Sequence, residues 1–182
     1  MKYMDFYLQR RRIAVARSYV PHGATLLDIG SADGILFETL SHHILRGIGI
    51  DPDITEQVTI GNYTLMHGTV PDTQFPGASF DCITMLAVLE HIPREAQPQL
   101  VEYCLDCLKP GGRVIITVPS PLVDYILTAL QWLRVIDAMS LHQHYGFLPR
   151  ETPVLFRSPQ FRLLRHQRFQ FGLNNLFVFE KC

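Results

Sequence analysis

The chain has 182 residues, of which 47% are hydrophobic and 18% charged, with a net charge of −1 and a pI near 6.7. At roughly 100–200 residues per domain this length predicts a single domain over residues 1–182. The apolar content excludes wholesale disorder, and the neutral balance excludes a strongly basic chain, so no nucleic-acid partner is expected. Charge is unevenly spread: residues 1–50 hold six Lys/Arg against four Asp/Glu, residues 51–110 two against nine, and residues 111–182 eight against four.

In chain order, residues 3–20 read as a helix with Arg10, Arg11 and Arg12 on its solvated side, closed by Pro21-His22-Gly23. Residues 25–29 form an apolar strand candidate, residues 35–43 a helix and residues 44–50 a second strand ending at Asp51-Pro52. Residues 62–67 and 80–85 are further strands, followed by a helix over about 93–109, a Pro110-Gly111-Gly112 turn and a β-branched strand over 113–118. Strands alternating with helices predict βαβ units and a mostly parallel sheet. Residues 161–169 and 173–181, joined by Gln170-Phe171-Gly172, predict an antiparallel hairpin at the sheet edge.

The four cysteines, Cys82, Cys104, Cys107 and Cys182, are too few and scattered for a disulfide framework. They suit a reducing, cytoplasmic location. Cys104 and Cys107 have CxxC spacing but no second Cys/His pair, so they read as helix-packing thiols and no metal is expected. The first residues lack the apolar core of a signal peptide. The most apolar stretch, residues 122–136, is broken by Asp124, Gln131 and Arg134, so no transmembrane segment is expected.

The turn Leu27-Asp28-Ile29-Gly30-Ser31-Ala32-Asp33-Gly34 stands between the first strand and a helix. In an open parallel sheet, ligands bind beyond the carboxyl ends of the strands. Gly30 can take positive φ there, Ser31 and Ala32 are small enough for close approach, and Gly34 lets the helix sit near. The second strand ends at Asp51, about twenty residues beyond Gly30, where a carboxylate can accept both hydroxyls of a ribose.

With those residues in hand, the chain resembles a class I S-adenosylmethionine-dependent methyltransferase of the small seven-stranded, small-molecule kind. The resemblance rests on residues 26–34, Gly49-Ile50-Asp51, Ser79-Phe80-Asp81-Cys82-Ile83, Val88-Leu89-Glu90-His91-Ile92 and residues 108–114, in the family's order and spacing. It implies an α/β, Rossmann-like three-layer sandwich with strand order 3-2-1-4-5-7-6, strand 7 antiparallel. It also implies S-adenosylmethionine as cofactor and S-adenosylhomocysteine as product. Asp28, Gly30, Ser31, Ala32 and Gly34 would shape the methionine end. Asp51 would hold the ribose, Pro52 would pack on the adenine, and Leu86 and Ala87 would present backbone to the methionine. The adenine edge would be read by Gly68, Thr69 and Val70. Ala32 stands where the family often has glycine, and Thr69 where it often has an acid.

Under that resemblance residues 1–22 form the N-terminal helix, 25–120 the cofactor part, 121–158 the acceptor side or lid, and 159–182 the C-terminal hairpin. The family's reaction needs a base only when the acceptor carries its proton. Catalytic residues stay unassigned, with His91, His144 and Tyr145 as candidate bases. His142 belongs to the same cluster as His144 and Tyr145. Residues 122–141 are apolar on more than one side and offer an acceptor pocket, a homodimer contact or a transient membrane contact. The Met85-Leu86-Ala87-Val88 run lacks the Asn/Asp-Pro-Pro-aromatic pattern of base-modifying enzymes, so the expected acceptor is a small molecule, lipid-like or glycan-type. The alternatives are a non-catalytic S-adenosylmethionine-binding scaffold and, further off, a nicotinamide-dependent oxidoreductase.

Overall fold

A computed structural model describes residues 2–121 and 147–182 of the chain. The elements are α1 (Lys2–Arg17), β1 (Thr25–Ile29), α2 (Ile35–Leu40), β2 (Arg46–Asp51), β3 (Val58–Ile60), β4 (Tyr63–His67), β5 (Phe80–Leu86), α3 (Gln97–Cys107), β6 (Leu108–Pro119), α4 (Thr152–Leu155), β7 (Phe161–Phe169) and β8 (Asn174–Lys181). The strands form one sheet in the order β3-β4-β2-β1-β5-β6-β8-β7. The strands β4, β2, β1, β5 and β6 are parallel neighbours, while β8 runs antiparallel to both β6 and β7.

The seven strands read from the sequence are all present and in the expected order, as a mostly parallel Rossmann-like sheet flanked by helices. The strand count is corrected to eight. Val58-Thr59-Ile60 pairs antiparallel with β4 across Gly61-Asn62, a hairpin at the far edge whose three residues are all exposed. No buried face marks it, so hydrophobic patterning does not reveal it. The helix expected over 93–109 begins only at Gln97, because residues 89–96 turn first as a short 3-10 segment and then as a Pro93–Ala96 turn. The strand expected to start at 113 begins at Leu108, with the ladder to β5 shifting between Phe80 and Cys82 where Gly111 takes φ +74°.

The buried strands feed two cores by simple alternation. Leu27, Ile83, Val114 and Ile116 point to the side covered by α3, where Leu100, Cys104 and Cys107 pack. Leu26, Cys82 and Ile115 point to the other side, against Ile13 and Ala16 of α1 and Phe37 and Leu40 of α2. Cys104 and Cys107 are free and buried, and burial pushes both thiols up, that of Cys104 far above its ordinary range. Among the described residues no helix is long and apolar enough to cross a membrane, and no group of three or more His, Cys, Asp or Glu stands where it could hold a metal.

Candidate functional site

The carboxyl ends of β1, β2 and β5 open onto a cleft of about 730 Å³. Its floor is the turn after β1. Gly30 has φ +77° and donates its N–H to the Ile50 carbonyl of β2 at 2.9 Å, and Ser31 N–H reaches the same oxygen at 3.2 Å. A Cβ at Gly30 would stand 2.4 Å from Val88 Cγ2, so only glycine meets both the positive φ and the close approach. Gly34 opens α2 at φ +73°, and a Cβ there would stand 2.7 Å from Leu65 Cδ1. Ala32 lies between them at φ +43°. The position where glycine was expected is therefore a left-handed one, which alanine occupies at a cost of about 1 kcal/mol.

Asp51 ties the two strand ends together. It is buried, with Oδ2 accepting the Ala32 N–H at 3.0 Å and Oδ1 accepting the Asp53 N–H at 2.9 Å. Each carboxylate oxygen keeps a lone-pair site for a further donor. Pro52 and Asp53 continue this wall, both exposed.

Behind the turn, Asp28 is buried, and Thr84 Oγ1 donates to its Oδ1 at 2.6 Å. Burial pushes its carboxyl up to about 7. The Thr84 bond opposes that rise, and the negative charges of Asp51 and Asp33 add to it. Ser31 Oγ is buried without a hydrogen-bond partner. It faces Gly49 of β2, where a Cβ would stand 2.6 Å away, rather than the cleft.

The third wall is the end of β5. Ala87 takes φ +63° and donates its N–H to Thr117 O at 2.9 Å. Leu86, Ala87, Val88 and His91 line the cleft, with the exposed His91 at its rim. Gly68, Thr69 and Val70 stand outside the cleft walls. Thr69 Oγ1 donates to Asp72 Oδ2 at 2.8 Å, which brings a carboxylate beside the threonine that replaces the family's acid. His142, His144, Tyr145 and the 122–141 stretch lie outside the described residues.

One expectation is corrected. Arg10 and Arg11 are exposed, but Arg12 is half-buried and lines the cleft together with Gln9 and Phe6. Helical spacing accounts for it: Gln9, Arg12, Ile13 and Ala16 share one side of α1, and Ile13 and Ala16 are core residues. Gln9 Nε2 donates to Asp33 Oδ1 at 3.1 Å, and Arg12 Nε to Asn174 Oδ1 at 3.3 Å. Arg12 thus stands as a cation in a cleft otherwise lined by the acids Asp33, Asp51 and Asp53. The spacing to Ile13 was the available signal; the run of three arginines obscured it.

The profile of the methyltransferase domain family matches residues 2–167. A ubiquinone biosynthesis O-methyltransferase of Paracidovorax citrulli is 27% identical over 165 residues, covering 82% of this chain and 68% of that protein. Several further relatives of the same description are spanned to only 59% of their length. Among solved structures, the complex between the Haloferax volcanii Trm112 methyltransferase activator and a putative methyltransferase contains a chain that superposes with a TM-score of 0.74 at 17% identity, over 98% of this chain and 93% of that one. The Burkholderia thailandensis 1,6-didemethyltoxoflavin-N1-methyltransferase, solved with bound 1,6-didemethyltoxoflavin and S-adenosylhomocysteine, superposes with a TM-score of 0.72 at 17% identity, over 98% of this chain and 80% of that one.

Proposed function

The chain belongs to the methyltransferase domain family, in the class I group whose cofactor is S-adenosylmethionine, and we propose that it transfers a methyl group to a small-molecule, lipid-like acceptor, in the first instance at a hydroxyl. The observation that carries this reading is the buried Asp51 bonded to the Ala32 N–H across the mouth of one cleft. That arrangement sets a ribose-binding carboxylate beside a glycine turn able to take a charged amino-acid tail. The hydroxyl acceptor draws support from the O-methyltransferase relatives.

The residues present suit this cofactor. Each carboxylate oxygen of Asp51 at the cleft wall keeps a site for a further donor, and any side chain at Gly30 would crowd Val88. When bound, the cofactor supplies a methyl group already activated on a sulfonium, which leaves by in-line displacement. Asp51 would hold the ribose hydroxyls and Pro52 would pack on the adenine. Thr69, helped by Asp72, would meet the adenine edge with Gly68 and Val70. Gly30, Ser31, Ala32 and Gly34 would shape the methionine end, which Arg12 would face with its guanidinium and Asp28 with its carboxyl. Leu86 and Ala87 would close that end with backbone. His91, at the rim, would take the acceptor's proton where one has to leave. Because the transferred group is activated beforehand, positioning is the protein's main contribution, worth up to about 7–11 kcal/mol in well-oriented systems.

Calorimetric titration with S-adenosylhomocysteine and, separately, with NADH tests the cofactor side. Saturable binding of S-adenosylhomocysteine and no heat with NADH is expected. The reverse preference would make the chain a nicotinamide-binding protein and sink the reading.

A further inference from the structure

We propose that a second pocket, beside the cofactor cleft on the same edge of the sheet, binds the anionic group of an acceptor that carries a planar ring. The pocket has a volume of about 490 Å³ and lies between the end of β6, the segment before α4 and the β7–β8 turn. Arg150, Arg168, Phe171, Ser120 and Asn175 line it. The proposal rests on the methyltransferase reading and names the acceptor chemistry for it.

Position comes first. Leu86 at the cleft pairs with Thr117 of β6, and Pro119 of β6 pairs with Asn174 of β8. The pocket therefore begins one to two strand spacings from the cleft, about 5–10 Å. Arg12 lines the cleft and its Nε donates to Asn174 on the α1 side of β8, while Asn175 of the pocket alternates to the other side. A ligand seated in the pocket can extend a ring along the strand ends toward the cleft.

The chemistry is cationic and aromatic. Arg150 and Arg168 are both exposed, and among the described residues neither has a carboxylate partner. Glu151, next to Arg150, is committed elsewhere: its carboxylate accepts from Arg94 at 3.2 Å and from the Leu148 N–H at 3.1 Å. Two uncompensated guanidinium groups in one concavity fit a carboxylate or phosphate. The adjoining cleft has the opposite sign, with Asp33, Asp51 and Asp53 against Arg12, as suits a cationic methyl donor. Charge is thus segregated along the sheet edge, donor side acidic and acceptor side basic.

Phe171 supplies the second observation. It is fully exposed, at 106% relative accessibility, and its backbone is left-handed at φ +57°, as is that of Gln170 at φ +51°. Neither property helps folding, and glycine at 171 would suit the backbone better. The turn is nevertheless held in place: Asn174 Nδ2 donates to Gln170 Oε1 at 2.5 Å, and Leu173 N–H to Gln170 O at 3.1 Å. A rigid turn that carries an outward aromatic over a two-arginine pocket is a platform for a flat ring.

The test is calorimetry on the full chain saturated with S-adenosylhomocysteine, titrated with phenyl phosphate, benzoate and phenol. The two anionic probes are expected to bind at least about tenfold more tightly than phenol, and Arg168→Ala or Arg150→Ala to weaken them about tenfold. The stronger of the two anions then identifies the group as phosphate or carboxylate. Phe171→Gly is expected to weaken all ring probes while the melting temperature stays level or rises. Equal binding of phenol, probe affinity untouched by both arginine substitutions, or a Phe171→Gly protein that melts lower yet binds rings unchanged would each overturn the proposal. Absence of probe binding in a protein that binds S-adenosylhomocysteine overturns the pocket alone, whereas absence of S-adenosylhomocysteine binding overturns the cofactor reading as well.

Discussion

Replacing Asp51 with alanine is expected to weaken S-adenosylhomocysteine binding at least about a hundredfold, since two hydrogen bonds to a charged acceptor at about 1.5–3 kcal/mol each are removed. The same carboxylate bonds the N–H groups of Ala32 and Asp53, at 3.0 and 2.9 Å, so the turn after β1 loosens too. Those two losses cost about 1 kcal/mol apiece in stability, which for a chain of this size lowers the melting temperature by several degrees and leaves the fold in place. Asp51→Asn separates the two effects. Its amide oxygen accepts one donor, but its NH2 group would face an N–H, so an affinity between wild type and alanine is expected. Calorimetry on the three proteins decides the matter. Equal affinities would remove the ribose assignment, and a folded Asp51→Ala protein with unchanged affinity would do so most plainly.

The second large effect concerns pH. Asp28 in the folded chain titrates near 7, against 3.8 unfolded, because burial disfavours its charge and Asp51 and Asp33 add repulsion to a degree that the Thr84 hydrogen bond does not cancel. Below about pH 4 the group is protonated in both states and costs nothing. Between about 4 and about 7 the unfolded chain releases the proton and the folded chain keeps it, so folding stability falls as pH rises. Above about 7 the full penalty, on the order of 4 kcal/mol, is present and flat. Asp28→Asn keeps an oxygen that can accept from Thr84 and carries no charge. Its urea-unfolding free energy is expected to exceed that of wild type at pH 7.5 and to match it near pH 4. Identical pH dependence in the two proteins would contradict the buried, neutral-favouring site. A bound ligand that sets a cation by Asp28 acts in the opposite sense, so ligand affinity is expected to rise through the same pH range.

What could be read from the sequence follows contact range. The turn from Asp28 to Gly34 is local, and its glycines stand where backbone geometry requires them. Alternating strands and helices made a mostly parallel sheet with a terminal hairpin legible, whereas the strand order came from the family resemblance. Asp51 was legible since a strand that ends in an acid, one βα unit after a glycine turn, finishes at the same sheet edge. Arg12 was not, because its place depends on α1 packing across the sheet, and its bond to Asn174 joins residues 162 positions apart. The edge strand β3 was missed because Val58, Thr59 and Ile60 are all exposed, so no buried side imposes a pattern. Phe171 was read only as part of a turn, since neither its left-handed backbone nor its full exposure follows from composition.

The central claim is that the chain moves a methyl group from S-adenosylmethionine to a small acceptor. Incubating the protein with methyl-labelled S-adenosylmethionine and a small-molecule cell extract, and counting label in the separated aqueous and lipid fractions, tests it most directly. The expected result is labelled product in at least one fraction with wild type and none above background with Asp51→Ala. Tight cofactor binding with no labelled product in any fraction would contradict it and leave a binding protein built on a methyltransferase fold.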